Sequence, residues 1–369
     1  RYGSGQPTSF EHVAIASDHP AATRIGLEIM RRGGNAFDAA VAVQFALAVA
    51  YPGAGNIGGG GFAVMRAAGG EIAALDFRET APLAAQHDMY LDPDGDVVPG
   101  VSLLGHLAVG VPGSVDGMVQ LHQRFGQLAW QDVVQPAVDL ARQGFRLTRR
   151  QAEKFNLHRD KLAGLNRTPI PMVRNDRPWQ NGDVVVQDGL ASTLELIRDR
   201  GRAGFYAGET ARHLIAEMQS GGGLIVQDDL DQYRSVWRQP VVGRYRGYRV
   251  VSMPPPSSGG VALLQILYGL EAWPVGKWGP DDWRRLHVKA EVERLVYADR
   301  AVHLGDPEYY PVPVVELLSD GYLQRRFANI SLQYRVPSAS VSAGTVAPPE
   351  SPETTHFSVV DQQGNAVSI

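Results

Sequence analysis

The order of apolar and polar residues along the chain predicts helices and strands in alternation. From Ala22 to Arg32 apolar side chains recur at helical spacing, and the glycines at 33–34 follow a basic last turn, which is typical of a helix that stops there. A second helix is predicted to begin near Asn35, a suitable N-cap, with the Asp38 carboxylate in its first turn. Because that helix is apolar on nearly every side, we expect it to lie in the interior.

Strand patterns follow the second helix and return at the end of the chain. The segments FAVMR at 62–66 and EIAALDF at 71–77 predict a hairpin, and YRGYRVVSM at 245–253 predicts a further strand. Residues 356–360 and 366–369 predict a last pair of strands around a Gln-Gly-Asn turn. Further helices are expected at about 114–125, 131–143, 190–200, 209–220, 261–272 and 283–303. This order predicts an α/β protein in which sheet layers pack against helices.

Composition and charge narrow the class of protein. The 369 residues are 44% hydrophobic and 20% charged with a net charge of −4, which is typical of a soluble globular protein and offers no basic surface to nucleic acid. Gln44 and Pro52 interrupt the longest apolar run before the roughly 20 residues that a bilayer requires, so we expect no membrane span. The sequence has no cysteine, which excludes disulfides and thiolate ligands. A chain that starts at Arg1 does not show whether a signal peptide was removed.

One glycine-rich motif suggests a nucleotide site, but its context opposes that interpretation. GAGNIG at 53–58 matches G-x-G-x-x-G, yet a dinucleotide site needs a strand before the glycines and a helix after them. Here a helix is predicted before and a strand after, so we favour a turn where backbone segments approach closely. The histidines show no ligand spacing, and neither H-E-x-x-H nor G-x-S-x-G occurs, so we expect no metal, no cofactor and no serine elbow.

The end of the chain joins two unlike segments. Residues 335–353 are rich in Pro, Ser and Ala, as in an extended linker, and a strand pattern begins directly after Thr354. A threonine hydroxyl is a weak nucleophile, but the α-amino group of the same residue can act as its base once the preceding peptide bond is broken. The ordinary pKa of such an amine, about 7.7–8.0, leaves part of it neutral near physiological pH. From these residues alone, an ordinary turn before a strand is the alternative interpretation.

Short, distinctive blocks occur along nearly the whole chain. They are GGNAFDAAVA at 33–42, GNIGGGGF at 55–62, DFRETAP at 76–82, GVPGSVDG at 110–117, YRGYRV at 245–250, MPPPSSGG at 253–260, YADRAVHLGDP at 297–307 and TTHFSVVDQQGNAVS at 354–368. In this order the blocks resemble those of the γ-glutamyltranspeptidases, a family of N-terminal-nucleophile hydrolases. The last block resembles the start of that family's small subunit.

The resemblance implies a fold, a maturation step and an activity. It implies a layered αββα sandwich of the N-terminal-nucleophile type, with 1–353 as large subunit and 354–369 as the start of the small subunit. Family members cleave themselves, here between Glu353 and Thr354, and the two products of one precursor form a heterodimer. The freed Thr354 then attacks the γ-glutamyl amide of glutathione or a related compound, and the acyl group passes to water or an amino acid. A periplasmic or secreted location is also implied by the family.

Arg78, within DFRETAP, is the second residue to which the resemblance assigns a role. In the family the arginine at this place binds the α-carboxylate of the γ-glutamyl group, and a planar guanidinium can offer a carboxylate two parallel hydrogen bonds. From the residues alone, an ion pair with Asp76 or Glu79, both close in sequence, is the alternative.

Two other functions remain open at this point. A same-fold acylase that removes a glutaryl-type side chain from a cephalosporin would act on a substrate without the α-amino group. The groups that distinguish the two substrates, and the oxyanion-hole glycines, belong in the family to small-subunit segments beyond the sixteen residues 354–369. A catalytically inactive relative that serves as a binding protein is the third possibility, and a free amino terminus at Thr354 would argue against it.

Overall fold

A computed structural model describes residues 12–342 and 358–369 of the chain. Its strands are β1 (Ala14–Ala16), β2 (Phe62–Arg66), β3 (Ile72–Asp76), β4 (Phe145–Arg146), β5 (Val184–Val185), β6 (Val236–Arg238), β7 (Val241–Tyr245), β8 (Tyr248–Ser252), β9 (Ser358–Val360) and β10 (Ala366–Ser368). Its α-helices are α1 (Pro20–Arg31), α2 (Ala36–Ala50), α3 (Ser114–Phe125), α4 (Trp130–Gln143), α5 (Arg149–Leu157), α6 (Arg159–Leu165), α7 (Asp188–Arg200), α8 (Ala203–Tyr206), α9 (Gly208–Gly221), α10 (Gln227–Gln232), α11 (Gly259–Glu271), α12 (Trp283–His303), α13 (Val314–Leu317) and α14 (Asp320–Phe327).

Helix α2 lies at the centre of the main core, as its sequence predicted. Every residue of the helix is buried, because it has no polar face to present to water. Asn35 caps it: the Asn35 side chain accepts hydrogen bonds from the backbone of Phe37 and Asp38, and the Asp38 carboxylate accepts one from the Asn35 backbone N–H. The buried Asp38 carboxylate also accepts from the backbone of Gln127, so the helix start is tied to the segment after α3.

The largest sheet in the described part of the chain has six strands in the order β1-β9-β10-β2-β3-β6. All neighbouring strands are antiparallel. Val359, Val367, Met65 and Leu75 are buried, and helix α2 packs against β9 and β10. The predicted strand pair at the end of the chain therefore joins the middle of this sheet, between β1 and β2.

The register of the sheet brings particular strand ends to one edge. Ser358 pairs with Ser368, which pairs with Val64, while Phe62 pairs with Asp76. Strands β9 and β2 consequently run in the same direction, and β3 runs against them. The amino end of β9 and the carboxyl end of β3 lie at the same edge of the sheet.

The segment at 245–253 differs from its prediction as a single strand. The chain forms the hairpin β7–β8, with Tyr245 opposite Tyr248 and a two-residue turn at Arg246 and Gly247. Both turn residues have positive φ, 50° and 84°, as a type I′ turn requires. The alternation of aromatic and basic residues continues across the turn, and arginine is an unusual residue for its first position, so the sequence pattern concealed the break.

Candidate active site

The glycine run at 55–61 is a close-packing loop, as the sequence context indicated. It follows helix α2 and leads into strand β2. A Cβ on Gly55 would lie 2.3 Å from the carbonyl oxygen of Leu47, and one on Gly60 would lie 2.5 Å from that of Phe77. Glycine is required where main chains approach this closely. The loop therefore packs against the segment that immediately follows strand β3.

Arg78 lies two residues beyond strand β3, and its backbone is held by neighbours on both sides. Phe77, just before it, exchanges two backbone hydrogen bonds with Gly61, at 3.0 and 3.3 Å, so pairing continues past the strand ends. The Arg78 N–H donates to Asp76 Oδ1 at 3.0 Å. The Tyr233 hydroxyl donates to the Arg78 carbonyl oxygen at 2.9 Å. The arginine thus projects from a fixed stretch of main chain.

The side chain of Arg78 is exposed, and the alternative of an ion pair with a sequence neighbour is wrong. Asp76 is buried and pairs instead with Arg238, whose Nε lies 2.8 Å from Asp76 Oδ2. Among the described residues, no carboxylate lies within ion-pair distance of the Arg78 guanidinium, and this includes the carboxylate of the neighbouring Glu79. The guanidinium does face the Phe62 ring, whose centroid is 6.0 Å from Cζ, at the outer limit of a cation–π contact. A guanidinium with these surroundings can receive a carboxylate from solution.

A third segment, 110–114, completes the packing around Arg78. Gly113 and Ser114 donate backbone hydrogen bonds to the Gly59 carbonyl at 2.7 and 3.0 Å, and Thr80 bridges to Val111. A Cβ on Gly113 would lie 2.0 Å from both the Phe77 carbonyl oxygen and the Tyr233 hydroxyl. The GNIGGGGF, DFRETAP and GVPGSVDG blocks, separate in the sequence, thus meet in one place.

Replacement of Gly113 by alanine is expected to destabilise the fold by about 1–3 kcal/mol, the usual cost of an overpacked core site. The added methyl group must displace either the Phe77 carbonyl or the Tyr233 hydroxyl, and both belong to the Arg78 support. Urea unfolding measures the change. Gly189→Ala, in helix α7 with nothing within 4 Å of its Cβ position, should leave stability unchanged or slightly raised. Equal stability of the two variants would contradict the packing argument.

The other predicted site residues, Glu353 and Thr354, lie outside the described residues, as does part of the 335–353 linker. The structure does show the strand that follows them, β9, whose amino end lies at the edge of the sheet that carries Arg78. Within 12–342 and 358–369, no group of three or more His, Cys, Asp or Glu side chains is arranged to hold a metal ion. None of the helices in those ranges combines the length and the apolar composition needed to cross a membrane.

Sequence comparison decides the family. Residues 22–369 match the family described as Gamma-glutamyltranspeptidase. The chain belongs to the γ-glutamyltranspeptidase family. A glutathione hydrolase proenzyme of Pseudomonas sp. strain A14 is 43% identical over 99% of this chain, and the match covers 64% of that relative. Acylase ACY 1 proenzyme of Pseudomonas sp. strain V22 is 37% identical over 98% of the chain and 65% of that relative. The chain spans slightly less than two thirds of the length of these two relatives.

The solved structures of this family confirm the predicted fold. The chain superposes on Helicobacter pylori γ-glutamyltranspeptidase with a TM-score of 0.86 at 41% identity, over 95% of this chain and 100% of that one. The γ-glutamyltranspeptidase fold of the N-terminal-nucleophile class is thus shown for this protein. The sequence did not predict that Tyr233 and Gly113 belong to the site. Only the GVPGSVDG block offered a signal for Gly113, and Tyr233 lies outside all eight blocks.

Proposed function

We propose that the protein is a γ-glutamyl hydrolase and transferase whose precursor cleaves itself between Glu353 and Thr354. In this proposal residues 1–353 form the large subunit and Thr354 begins the small subunit, the two forming a heterodimer. The Thr354 hydroxyl attacks the γ-glutamyl amide carbonyl and its α-amine takes up the proton. The amine leaving group departs with a proton, and the Thr354 ester then passes the acyl group to water or to an amino acid.

The position of Arg78 is the observation that carries the proposal. Its guanidinium is exposed and forms no ion pair with a described residue. Its main chain is fixed by hydrogen bonds and lies at the edge of the sheet where β9 begins. Thr354 precedes Ser358 by four residues, which corresponds to at most about 14 Å of extended chain. Three strand spacings of about 4.8 Å separate β9 from β3, again about 14 Å. A small substrate with a carboxylate at one end and an amide at the other fits a site with these two functions.

The family relatives favour γ-glutamyl compounds, and they also supply the second candidate. Three relatives that carry the name glutathione hydrolase proenzyme, from Pseudomonas and Escherichia coli, are 41–43% identical to the chain. The acylase relative is 37% identical, and two glutathione hydrolase proenzymes of Bacillus subtilis are 35% identical. A glutaryl group lacks only the α-amino group and keeps the equivalent carboxylate, so an arginine at this place could bind either acyl group. An exposed Arg78 without a described ion-pair partner therefore supports a substrate that carries this carboxylate, and the choice of the γ-glutamyl group rests on the relatives. A periplasmic or secreted location is part of the same proposal and comes from the family resemblance.

A substrate comparison tests the proposal. Full-length purified protein is first sequenced from its amino termini, where a new terminus at Thr354 is expected without added protease. The matured protein is then assayed on γ-glutamyl and glutaryl anilides, and kcat/KM is expected to be higher for the γ-glutamyl compound. A preference for the glutaryl anilide would favour the acylase. Absence of both cleavage and turnover would favour the inactive relative.

The pH dependence of turnover tests the base. Activity should fall as the pH drops through the pKa of the Thr354 amine, because the protonated amine cannot accept the hydroxyl proton. An α-amine has an ordinary pKa of about 7.7–8.0, and desolvation would lower that value. The acidic limb of a plot of kcat/KM against pH gives the pKa of the Thr354 amine. Unchanged turnover after chemical blocking of the free amine would contradict the role of that amine.

A further inference from the structure

We propose that Tyr233 is a positioning residue for Arg78 and thereby contributes to recognition of the substrate α-carboxylate. This inference rests on the proposed role of Arg78 in binding the γ-glutamyl group. The contact that Tyr233 makes is with the main chain of Arg78, where its hydroxyl donates to the carbonyl oxygen at 2.9 Å. With the Asp76 carboxylate accepting from the Arg78 N–H on the other side, both polar backbone groups of Arg78 are engaged by side chains.

Tyr233 is itself held firmly. It is 4% exposed, and its ring stacks on that of Tyr206, with centroids 5.9 Å apart and planes 7° from parallel. Arg202 donates to the Tyr233 carbonyl at 2.7 Å and to that of Leu230 at 3.0 Å. The Arg202 Nε also pairs at 2.8 Å with Asp116, a fully buried carboxylate. The ring and the backbone of Tyr233 are therefore both fixed, so its hydroxyl is a rigid donor.

The chemistry of the hydroxyl suits a permanent support. Burial raises the pKa of Tyr233 well above its ordinary value, so the hydroxyl stays protonated and keeps donating over the pH range in which the proposed amine titrates. Beside it, the absent side chain of Gly113 leaves room for the hydroxyl to approach the Arg78 main chain. A long arginine side chain has many rotamers, and fixing its main chain reduces the freedom that binding a carboxylate must remove.

A double-mutant cycle with a matched control tests the inference. Tyr233→Phe keeps the ring and removes only the hydroxyl. It is expected to lower kcat/KM for a γ-glutamyl anilide about tenfold, mainly through KM, with self-cleavage retained as a check on folding. In an Arg78→Ala background the same change should have little further effect, because the group it positions is absent. A 4-aminobutyryl anilide, which lacks the α-carboxylate, should show little difference between Tyr233→Phe and the unaltered protein.

Tyr206→Phe is the matched control. Tyr206 is also buried and its ring stacks on that of Tyr233, but its hydroxyl donates to the Pro112 carbonyl at 2.7 Å rather than to Arg78. We expect Tyr206→Phe to lower the melting temperature about as much as Tyr233→Phe does, while its KM stays within about twofold of that of the unaltered protein. An equal rise in KM for the two variants would assign Tyr233 a merely structural role.

The outcomes separate this inference from the function on which it rests. If Arg78→Ala lowers kcat/KM but Tyr233→Phe either leaves KM unchanged or acts equally with and without Arg78, the positioning role is overturned and the proposed function stands. If Arg78→Ala itself leaves kcat/KM unchanged, the carboxylate-binding role and the positioning role both fall. Only a loss that depends on both Arg78 and the substrate α-carboxylate supports the inference.

Discussion

Replacing Thr354 with alanine is expected to leave the precursor uncleaved and to remove turnover. An alanine methyl group cannot attack the Glu353 carbonyl, so the peptide bond before residue 354 stays intact and no free amine is produced. Loss of a covalent nucleophile typically costs on the order of 10⁴-fold or more in kcat, which takes activity below most assays. Gel electrophoresis follows the cleavage, and release of the anilide from a γ-glutamyl substrate follows the turnover.

Thr354→Ser provides the matched control for this experiment. Serine retains a hydroxyl, so this variant should still cleave itself and retain measurable activity. Thr355 keeps its amide nitrogen after cleavage and has no free amine to serve as a base, so it is not expected to replace the nucleophile. Normal cleavage of Thr354→Ala would remove Thr354 from the mechanism.

Replacing Arg78 with alanine is expected to lower kcat/KM on γ-glutamyl substrates by about 30-fold to several thousand-fold. That range corresponds to about 2–5 kcal/mol, the usual cost of removing one partner of a hydrogen-bonded charge pair. Arg78→Lys keeps the charge but loses the planar fork, so its kcat/KM should lie between that of the unaltered protein and that of Arg78→Ala. Much of the loss should appear in KM, because the carboxylate is bound in both the ground state and the transition state. Steady-state kinetics on the matured protein measures these values.

Two controls establish whether a loss of activity at Arg78 comes from substrate binding. Self-cleavage should survive both Arg78 substitutions, because no substrate carboxylate takes part in it. Arg149→Ala removes another exposed arginine, one that pairs only with Glu153 along helix α5 among the described residues, and should leave kcat/KM unchanged. A self-cleaving Arg78→Ala protein with unchanged kcat/KM would show that Arg78 is structural.

Local signals in the sequence were sufficient for several elements of the fold. Asn35, Asp38 and the all-round apolar composition of 36–50 predicted a capped, buried helix, because capping and burial depend on neighbours within one turn or on a lack of polar residues. The hairpin β2–β3 followed from two apolar runs and a short glycine-containing turn. The order of helix, glycines and strand was enough to oppose a dinucleotide site at 53–58. The prediction of a single strand at 245–253 was wrong because the Tyr-Arg alternation continues through both strands of a hairpin.

The sequence alone determined the family, through its eight blocks, and with it the assignments to Thr354 and Arg78. Which carboxylate partners which arginine was decided only by tertiary structure: Asp76 is two residues from Arg78 but pairs with Arg238, across the antiparallel strands β3 and β6. The Tyr233 support likewise joins residues 155 positions apart in the chain. Pairing over such separations depends on how the sheet register and the helices bring distant segments together, and a short sequence window contains no information about that. Proximity in sequence therefore suggested the wrong partner for Asp76, while the folded chain left the Arg78 guanidinium exposed at the edge where β9 begins.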